Sequence, residues 1–386
     1  MANLGWQDRA SAAATGWRSL SVVARCGLWL PLMASVACAT PNSGAAEEGR
    51  QAESATEGSA SEPGGMSQDV GSSQGESAAA AMDAKLARLH GRLERIPGDP
   101  IPDKIIRGTH YWVSNELSQG LFHPFIAKAG GLFMGVGTDQ CYLLAGWQGA
   151  ESLVLMDFDR YVVALHRAYR AFFLASKDPE EFVAWWHPEK QDEAMVLLKE
   201  SVEDEALRDL TLEAFNKSAK LVRLRLSRLK RQYGGDGMGS FVTDPEQFAR
   251  IRALYRSNRV FLVRANLVGP TAVQGIGEVL REFGMSPRVV YLSNAEQYFK
   301  YTEAFKQNIA ALGLDDESRV LRTLSHLRHG FADGEQYHYN VQTGSSLVRY
   351  LEAGKLTSSS RMLREKRGTE IPGLSTLGDV QLESLK

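Results

Sequence analysis

The sequence predicts an α/β fold, in which a doubly wound and mostly parallel sheet carries a helical insertion. Three observations support this fold class. Apolar runs of strand length alternate with helix-length amphipathic segments between residues 83 and 355. Several of these runs are apolar at successive positions, which is typical of strands that helices cover on both faces. Mostly helical sequence interrupts the alternation between about 177 and 257, and this stretch predicts the insertion.

Six apolar runs in this region have the length of a strand. They are LFMGVG (132–137), SLVLMDFD (152–159), RVFLVRANL (259–267), RVVYLSN (288–294), SRVLRTL (318–324) and QYHYNVQ (336–342). Helices are predicted at 138–147, 161–175, 271–283 and 295–312. Because strands and helices follow one another in turn, we expect parallel strands joined by helical crossovers.

The helical insertion contains a strongly basic amphipathic segment. One stripe of this segment is apolar and is expected to be buried: Val222, Leu226, Leu229 and Tyr233. Basic residues occupy the remaining positions: Lys217, Lys220, Arg223 and Lys230. Such a pattern indicates either a solvated helix face or, less commonly, a lid or a surface for an anionic partner.

The first 37 residues are typical of a signal peptide. They carry three arginines against one acid, and they end in an unbroken apolar run of twelve residues from Cys26 to Ala37. Since a membrane span needs about 20 residues, a cleaved export signal fits better. Ala37 directly precedes Cys38, which predicts an acylated Cys38 and an exported lipoprotein anchored in the periplasm or at the cell surface. Cleavage by an ordinary signal peptidase after Ala37 or Ala39 stays open.

Composition divides the rest of the chain into three parts. Residues 38–82 are mainly Ala, Ser, Gly and Glu without an aromatic residue, which predicts a disordered tether. Residues 83–355 suffice for one large domain. Residues 356–386 are poor in core residues and are expected to form a loose tail. The formal net charge of −2 implies no general attraction to nucleic acid, so membrane contact is expected only through the lipid anchor.

Polar or glycine residues stand at the ends of five predicted strands. In a parallel α/β sheet, ligands bind beyond the carboxyl ends of the strands. The sequence therefore predicts a common ligand-binding rim at this edge of the sheet. Its residues are Gly135, Gly137, Thr138, Asp139, Asp157, Asp159, Arg264, Asn266, Ser293, Asn294, Arg322 and Thr323.

The first two strands carry the pattern of a cofactor cradle. Gly135 and Gly137 would let the backbone approach a ligand, and Asp157 follows Gly137 by twenty positions, near the spacing at which an acid meets ribose hydroxyls. Gln140 stands where a third glycine would complete the motif. If Asp139 faces the ligand, it repels a pyrophosphate and attracts a cation, which favours S-adenosylmethionine over NAD.

Through LFMGVGTD and LVLMDFD, the chain resembles the class I S-adenosylmethionine-dependent methyltransferase-like Rossmann superfamily over roughly residues 105–355. The resemblance implies that Gly135 and Gly137 abut the methionine part of the cofactor and that Asp157 binds its ribose. The segment HYWVSNELSQGLF is similar to the helix before the first strand of that superfamily, with Asn115 or Glu116 at the cofactor's amino-acid end.

The same resemblance places the ends of later strands beside the substrate, which here are Arg264, Asn266 and Asn294. The tether and the segment YLSNAEQYF are also similar to those of an uncharacterised group of bacterial lipoproteins. His326, His329 and His338 lie close in sequence, but their spacing matches no compact metal motif. We therefore predict no metal site there and expect surface histidines.

Two functional hypotheses follow. The first is an exported, lipid-anchored protein whose methyltransferase-like domain binds a small adenosyl-like or polar ligand. The alternative is an active S-adenosylmethionine-dependent methyltransferase. Because S-adenosylmethionine is made inside cells, export favours the binding module. No catalytic residue, substrate or protein partner is predicted.

Overall fold

The computed structural model describes residues 70–235, 237–354 and 357–380, all within one compact unit, Gln68–Lys386. The predicted signal peptide, Cys38 and residues 39–69 lie outside the described residues. Within the described part, no helix is both long enough and apolar enough to span a membrane.

The structure is α/β, with one eight-stranded and mostly parallel sheet, so the predicted class is confirmed at that level. All six predicted strands are present, each within two residues of an expected start. The strands are β1 (Leu132–Val136), β2 (Ser152–Asp157), β3 (Val260–Arg264), β4 (Pro287–Tyr291), β5 (Arg319–Leu324), β6 (His338–Thr343), β7 (Arg367–Gly368) and β8 (Leu374–Leu377).

Twelve α-helices of four residues or more surround the sheet in the described part of the chain. They are α1 (Val70–Leu93), α2 (His123–Ile126), α3 (Asp139–Gln148), α4 (Arg160–Ala175), α5 (Pro179–Ala184), α6 (Gln191–Ser201), α7 (Glu205–Tyr233), α8 (Pro245–Arg256), α9 (Ala272–Glu282), α10 (Glu303–Ala311), α11 (Gly344–Glu352) and α12 (Ser359–Met362).

The strand order is β3-β2-β1-β4-β5-β6-β8-β7. The first five strands are parallel to one another, and β6 is antiparallel to β5. The chain moves outward from β1 through β2 to β3, then returns to the other side of β1 with β4 and continues outward to β5. The direction of winding therefore reverses between β1 and β4, which opens a crevice at the carboxyl ends of these two strands.

Alternate side chains of the central strands enter two separate apolar cores. Phe133 and Leu155 point to the face covered by α3, α4, α7 and α8, whereas Met134 and Val154 point to the face covered by α1, α9, α10 and α11. All four side chains are fully buried. The period of two and the burial on both faces explain why these strands appear in the sequence as continuous apolar runs.

The predicted insertion lies between β2 and β3 and comprises α5 to α8. The predicted apolar stripe of α7 is buried: Val222, Leu226, Leu229 and Tyr233 are all at most 2 % exposed. Long α7 packs against α4, and α8 packs against α3 and α4. The insertion thus thickens the helical layer on one face of the sheet.

One predicted helix and two predicted disordered regions are wrong in part. The expected helix at 295–312 is a single turn at Ala295–Gln297 followed by α10, because the Thr302 hydroxyl accepts a hydrogen bond from the Phe305 amide and begins a new helix there. Residues 70–82 of the predicted tether are helical, as the start of α1. In the same helix, Leu86, Leu89 and Leu93 are at most 1 % exposed.

The predicted loose tail is ordered from 357 to 380. Strand β8 pairs in parallel with β6, and β7 pairs with β8, so this segment completes the sheet. Met362, Leu363, Leu374 and Leu377 are buried. These few apolar residues are spread among polar ones, so the average composition of the segment did not indicate a core contribution. Residues 381–386 lie outside the described residues.

Candidate functional site

A cleft opens at the carboxyl ends of β1, β2 and β4, where the winding direction reverses. We call it the switch-point cleft. Its cavity volume is about 80 Å³, which is smaller than the roughly 300–1,000 Å³ of typical small-molecule sites. Its lining residues are Ile106, Thr109, Tyr111, Val113, Ser114, Asn115, Val136, Gly137, Gln140, Asp157, Phe158, Asp159, Val162, Ser293, Asn294, Ala295 and Tyr298.

The glycine turn after β1 faces this cleft through Gly137 only. Gly137 has φ +99°, a conformation that strains any residue with a Cβ, and a Cβ there would also lie 2.0 Å from Nε2 of Gln140 and displace it. Gly135 does not line the cleft: a Cβ there would lie 2.6 Å from the Phe133 ring and 2.8 Å from the Cys141 sulfur. Gly135 is thus required for packing beneath the loop.

Gln140 closes the glycine turn on itself. Its Oε1 accepts a hydrogen bond from the Thr138 amide at 3.2 Å, and its Nε2 donates to the Val136 carbonyl at 3.4 Å. Below the turn, the buried His166 ring lies 2.8 Å from the Gly137 carbonyl through Nε2. Since Gln140 occupies the Thr138 amide and the Met156 carbonyl accepts from the Gly137 amide, two amides of the turn are already bonded and are not free for a phosphate.

Asp157 stands at the end of β2 and lines the cleft, as predicted. Its Oδ1 accepts a hydrogen bond from the Asp159 amide at 2.9 Å. The residue is 8 % exposed. Burial, aided by the neighbouring Asp159 charge, raises the pKa of Asp157 to about 7, although three backbone amides partly oppose the shift. At neutral pH this carboxyl group is therefore partly ionised and can accept hydrogen bonds from a ligand.

Asp159, which lines the cleft, is hydrogen bonded to His110, and sequence reasoning missed this contact. Oδ1 of Asp159 accepts from the Tyr161 amide and caps α4, while Oδ2 lies 2.6 Å from Nδ1 of His110. The His110 ring packs between Trp112 and Tyr161. No local signal predicts this pair, since 49 positions separate the two residues.

The expectation that Asp139 faces the ligand is wrong. Asp139 is fully buried at the start of α3 and does not line the cleft. Its Oδ2 accepts a hydrogen bond from Nε of Arg225 at 2.6 Å, and its Oδ1 accepts from the Ser114 amide at 2.9 Å. The cation that pairs with Asp139 is Arg225 of the insertion and not part of a ligand.

Arg225 links α7 to the segment that borders the cleft. The residue is 3 % exposed. Besides Asp139, it donates to Oε1 of Gln119 at 2.5 Å and to the Glu116 carbonyl at 3.5 Å. A single buried guanidinium thus connects the insertion, the first turn of α3 and residues 114–119.

Asn115 and Glu116 have different environments. Asn115 lines the cleft and donates to the Tyr337 hydroxyl at 2.7 Å, to which cleft residue Asn294 also donates, at 3.3 Å. The Glu116 carboxyl is buried outside the cleft, where hydroxyl groups of Ser293 and Thr323, and of Tyr291, donate to it. Burial raises the pKa of Glu116. Glu116 therefore joins the ends of β4 and β5 beneath the cleft.

Arg264 and Asn266, predicted on the substrate side, lie outside the cleft. Arg264 donates through Nε to the Asp99 carbonyl at 2.6 Å, and the Asn266 amide donates to the Asp99 carboxylate at 2.8 Å. The same carboxylate accepts from the amides of Thr271 and Ala272 and so caps α9. Asp99 therefore links the end of β3 to the start of α9.

Two tyrosines frame the cleft entrance. Tyr111 and Tyr298 are each more than one third exposed. Burial raises the pKa of Tyr298 to about 12. Among the described lining residues there are two carboxylates and neither lysine nor arginine. The cleft is thus apolar and aromatic at its walls and acidic at its base.

The expectation that the three clustered histidines lie at the surface is wrong for two of them. His329 is 8 % exposed and His338 is 1 % exposed, whereas His326 is exposed. His338 lies 2.7 Å from the Ser375 hydroxyl through Nε2, and Lys366 donates to the His329 carbonyl at 3.1 Å. Within the described ranges, no group of His, Cys, Asp or Glu side chains could hold a metal ion.

A broader and more open depression lies beside the exposed edge of β3. Its lining includes Asn258 and Val260 at the start of β3 and Ala175 at the end of α4. It therefore lies toward the amino ends of the strands, opposite the edge at which α/β sheets bind ligands. The switch-point cleft is the better candidate site.

No curated protein matches the sequence. The model of one protein family, described as a domain of unknown function, DUF7790, matches residues 111–378. The matched region includes all eight strands and every lining residue of the cleft except Ile106 and Thr109. Since the match covers well over half of the sequence, the chain belongs to the DUF7790 family.

Proposed function

We propose that the DUF7790 domain of this chain binds a small ligand with an adenosyl-like group in the switch-point cleft. The observation that carries this proposal is the placement of Asp157 beside Gly137, with a carboxyl group at the end of β2 next to the glycine turn of β1. The strand order β3-β2-β1-β4-β5 supports a doubly wound, methyltransferase-like arrangement, because nucleotide-binding sheets share this order.

The cleft offers each part of such a ligand a partner. Asp157 would accept hydrogen bonds from the two ribose hydroxyls. The Asp159 amide, bonded to its Oδ1, orients the carboxyl group for these contacts. Val136, Phe158 and Val162 supply an apolar wall for the flat base. Asn115 and Asn294 supply amide groups at the other side of the cleft, where a polar end of the ligand would lie.

Charge favours a neutral or cationic ligand over a nucleotide. The described lining residues include Asp157 and Asp159 but no lysine or arginine, and Gln140 occupies the Thr138 amide. A pyrophosphate would therefore meet two carboxylates without a counter-charge. S-adenosylmethionine, which carries a sulfonium and an ammonium, satisfies this requirement without any contribution from Asp139.

An active S-adenosylmethionine-dependent methyltransferase is the second candidate function. The observation that favours it is the hydrogen bond between His110 and the cleft residue Asp159, in which a carboxylate orients an imidazole. His110 itself does not line the cleft, but its neighbours Thr109 and Tyr111 do. This is the usual arrangement of a general base and its orienting group. Methyl transfer that is lost in His110→Gln while cofactor binding is retained would favour this candidate over a binding module.

The ligand class can be tested by thermal unfolding of the full chain with candidate ligands. We expect S-adenosylmethionine, S-adenosylhomocysteine and adenosine to raise the melting temperature, because a ligand at 100 times its Kd stabilises the folded state by about 2.7 kcal/mol. ATP and NAD serve as controls that share the adenosine but add phosphates, and we expect a much smaller effect. Stabilisation by ATP and NAD alone would contradict the proposed ligand class.

We also propose that the domain is exported and held at a membrane through an acylated Cys38, which lies outside the described residues. The sequence pattern before Cys38 supports this proposal. We expect the mature chain to begin at Cys38, to carry the mass of a lipid and to enter the detergent phase, and we expect Cys38→Ser to abolish both properties. An unprocessed wild-type chain in the cytosolic fraction would contradict export and anchoring.

A further inference from the structure

The exposed side of α7 carries a stripe of basic and leucine residues. It is formed by Lys217, Lys220, Leu221, Leu224, Arg228 and Arg231, and we call it the basic-leucine face. The spacings from 217 through 221, 224 and 228 to 231 alternate between four and three residues, which places these side chains along one side of the helix. The buried stripe of α7 lies on the opposite side.

Two large apolar side chains in this face are about half exposed to solvent. Leu221 is 45 % exposed and Leu224 is 51 % exposed, whereas Val222 and Leu226 on the buried side are fully buried. Two half-exposed leucines form only a small apolar patch, so they indicate an external partner only together with the charge around them. Neither residue lines the switch-point cleft.

Charge is segregated along the same stretch. Between Lys217 and Arg231 the sequence contains seven basic residues and no acid, of which buried Arg225 pairs with Asp139 and Lys230 pairs with Glu180 at 3.6 Å. Lys220, Arg228 and Arg231 form no ion pair with any described residue; Lys217 pairs with Glu213 at 2.6 Å. The face therefore presents uncompensated positive charge around its two leucines.

We propose that the basic-leucine face docks the domain on an anionic phospholipid surface. Lysine and arginine attract anionic headgroups, while leucine side chains gain free energy by entering the boundary between headgroups and acyl chains. Nucleic acid would use the positive charges but would leave the leucines exposed. An acidic protein would need its own apolar patch to cover them. An anionic lipid surface can bind the basic side chains with its headgroups and the leucines with its acyl chains.

This docking is independent of the proposed ligand in the cleft and of acylation. The test therefore uses the full chain with Cys38→Ser, so that no acyl group contributes, and measures co-sedimentation with vesicles. We expect binding to vesicles of phosphatidylcholine mixed with phosphatidylglycerol, weaker binding at high salt, and little binding to phosphatidylcholine alone.

Two sets of substitutions separate the charges from the leucines. The triple variant Lys220→Glu, Arg228→Glu, Arg231→Glu is expected to lower the partition coefficient onto vesicles at least about 100-fold, since each basic residue contributes about fivefold. Leu221→Gln with Leu224→Gln keeps the charge and is expected to lower it about tenfold. Arg88→Glu, Lys199→Glu and Arg256→Glu make the same charge change at exposed sites on other helices and are expected to leave binding nearly unchanged.

Thermal unfolding of each variant shows whether it is folded, and the exposed positions are expected to tolerate these changes. Equal binding to neutral and anionic vesicles by the parent chain would overturn the proposal. So would an equal loss of binding in the triple variant and in its matched control. Retention on heparin or duplex DNA, with no effect of the leucine pair on vesicle binding, would assign the face to a nucleic-acid partner instead.

Discussion

Arg225→Met is expected to lower the free energy of unfolding by about 3–5 kcal/mol, because it leaves Asp139 as a buried charge without its partner. Both side chains are at most 2 % exposed, so water cannot replace the lost ion pair. The same change removes the donor that Arg225 offers to Gln119. Urea denaturation at neutral pH measures the loss.

The control for Arg225→Met is Arg228→Met, which removes an exposed arginine three residues further along α7 and is expected to change stability by less than about 0.5 kcal/mol. A double variant that adds Asp139→Asn removes the unpaired charge and is expected to recover part of the loss. A cost below about 1 kcal/mol for Arg225→Met would show that the insertion is not held to the glycine turn through this pair.

Asp157→Asn is expected to change the pH dependence of stability. Burial raises the pKa of Asp157 from 3.8 to about 7, so between these values the folded state retains a proton that the unfolded state releases. The stabilising contribution of the protonated group is complete below about pH 4 and is lost as the pH rises to about 7. Asparagine cannot ionise, so the variant should gain about 2–3 kcal/mol relative to wild type between about pH 5 and about pH 8.

Urea denaturation of both proteins across this pH range measures the effect. Asp103→Asn, which removes an exposed acid before the first strand, is the matched control for the change in charge and is expected to follow the wild type. A constant difference in stability between wild type and Asp157→Asn would contradict the raised pKa. A difference that moves in the opposite direction would show that Asp157 is paired with a cation in solution.

Strands and their order along the chain could be predicted because the signal is local. β1 and β2 are buried on both faces, and each appears in the sequence as one apolar run that ends at a glycine turn or an acid. The same locality allowed Gly137 and Asp157 to be placed at one edge of the sheet. Asn115 and Asn294 also reached the cleft as predicted.

Predictions failed where a side chain is held by a distant segment. Asp139 bonds to Arg225, 86 positions away, and Asn266 bonds to Asp99, 167 positions away. The helix start at Asp139 and the strand end at Asn266 were both recognised, but nothing local shows that another segment occupies the space beside them. The tail was missed for a related reason, since Leu374 and Leu377 become buried only when β8 pairs with β6.

The central claim is that Asp157 holds a ribose-bearing ligand in the switch-point cleft. Calorimetric titration of the full chain with S-adenosylmethionine at about pH 8, where Asp157 is ionised, tests this claim most directly. A charge-assisted hydrogen bond contributes roughly 1.5–3 kcal/mol, so Asp157→Asn is expected to weaken binding about 10- to 100-fold, whereas Asp103→Asn leaves it unchanged. Equal affinity of the wild type and Asp157→Asn, or no binding by the folded wild type, would contradict the claim.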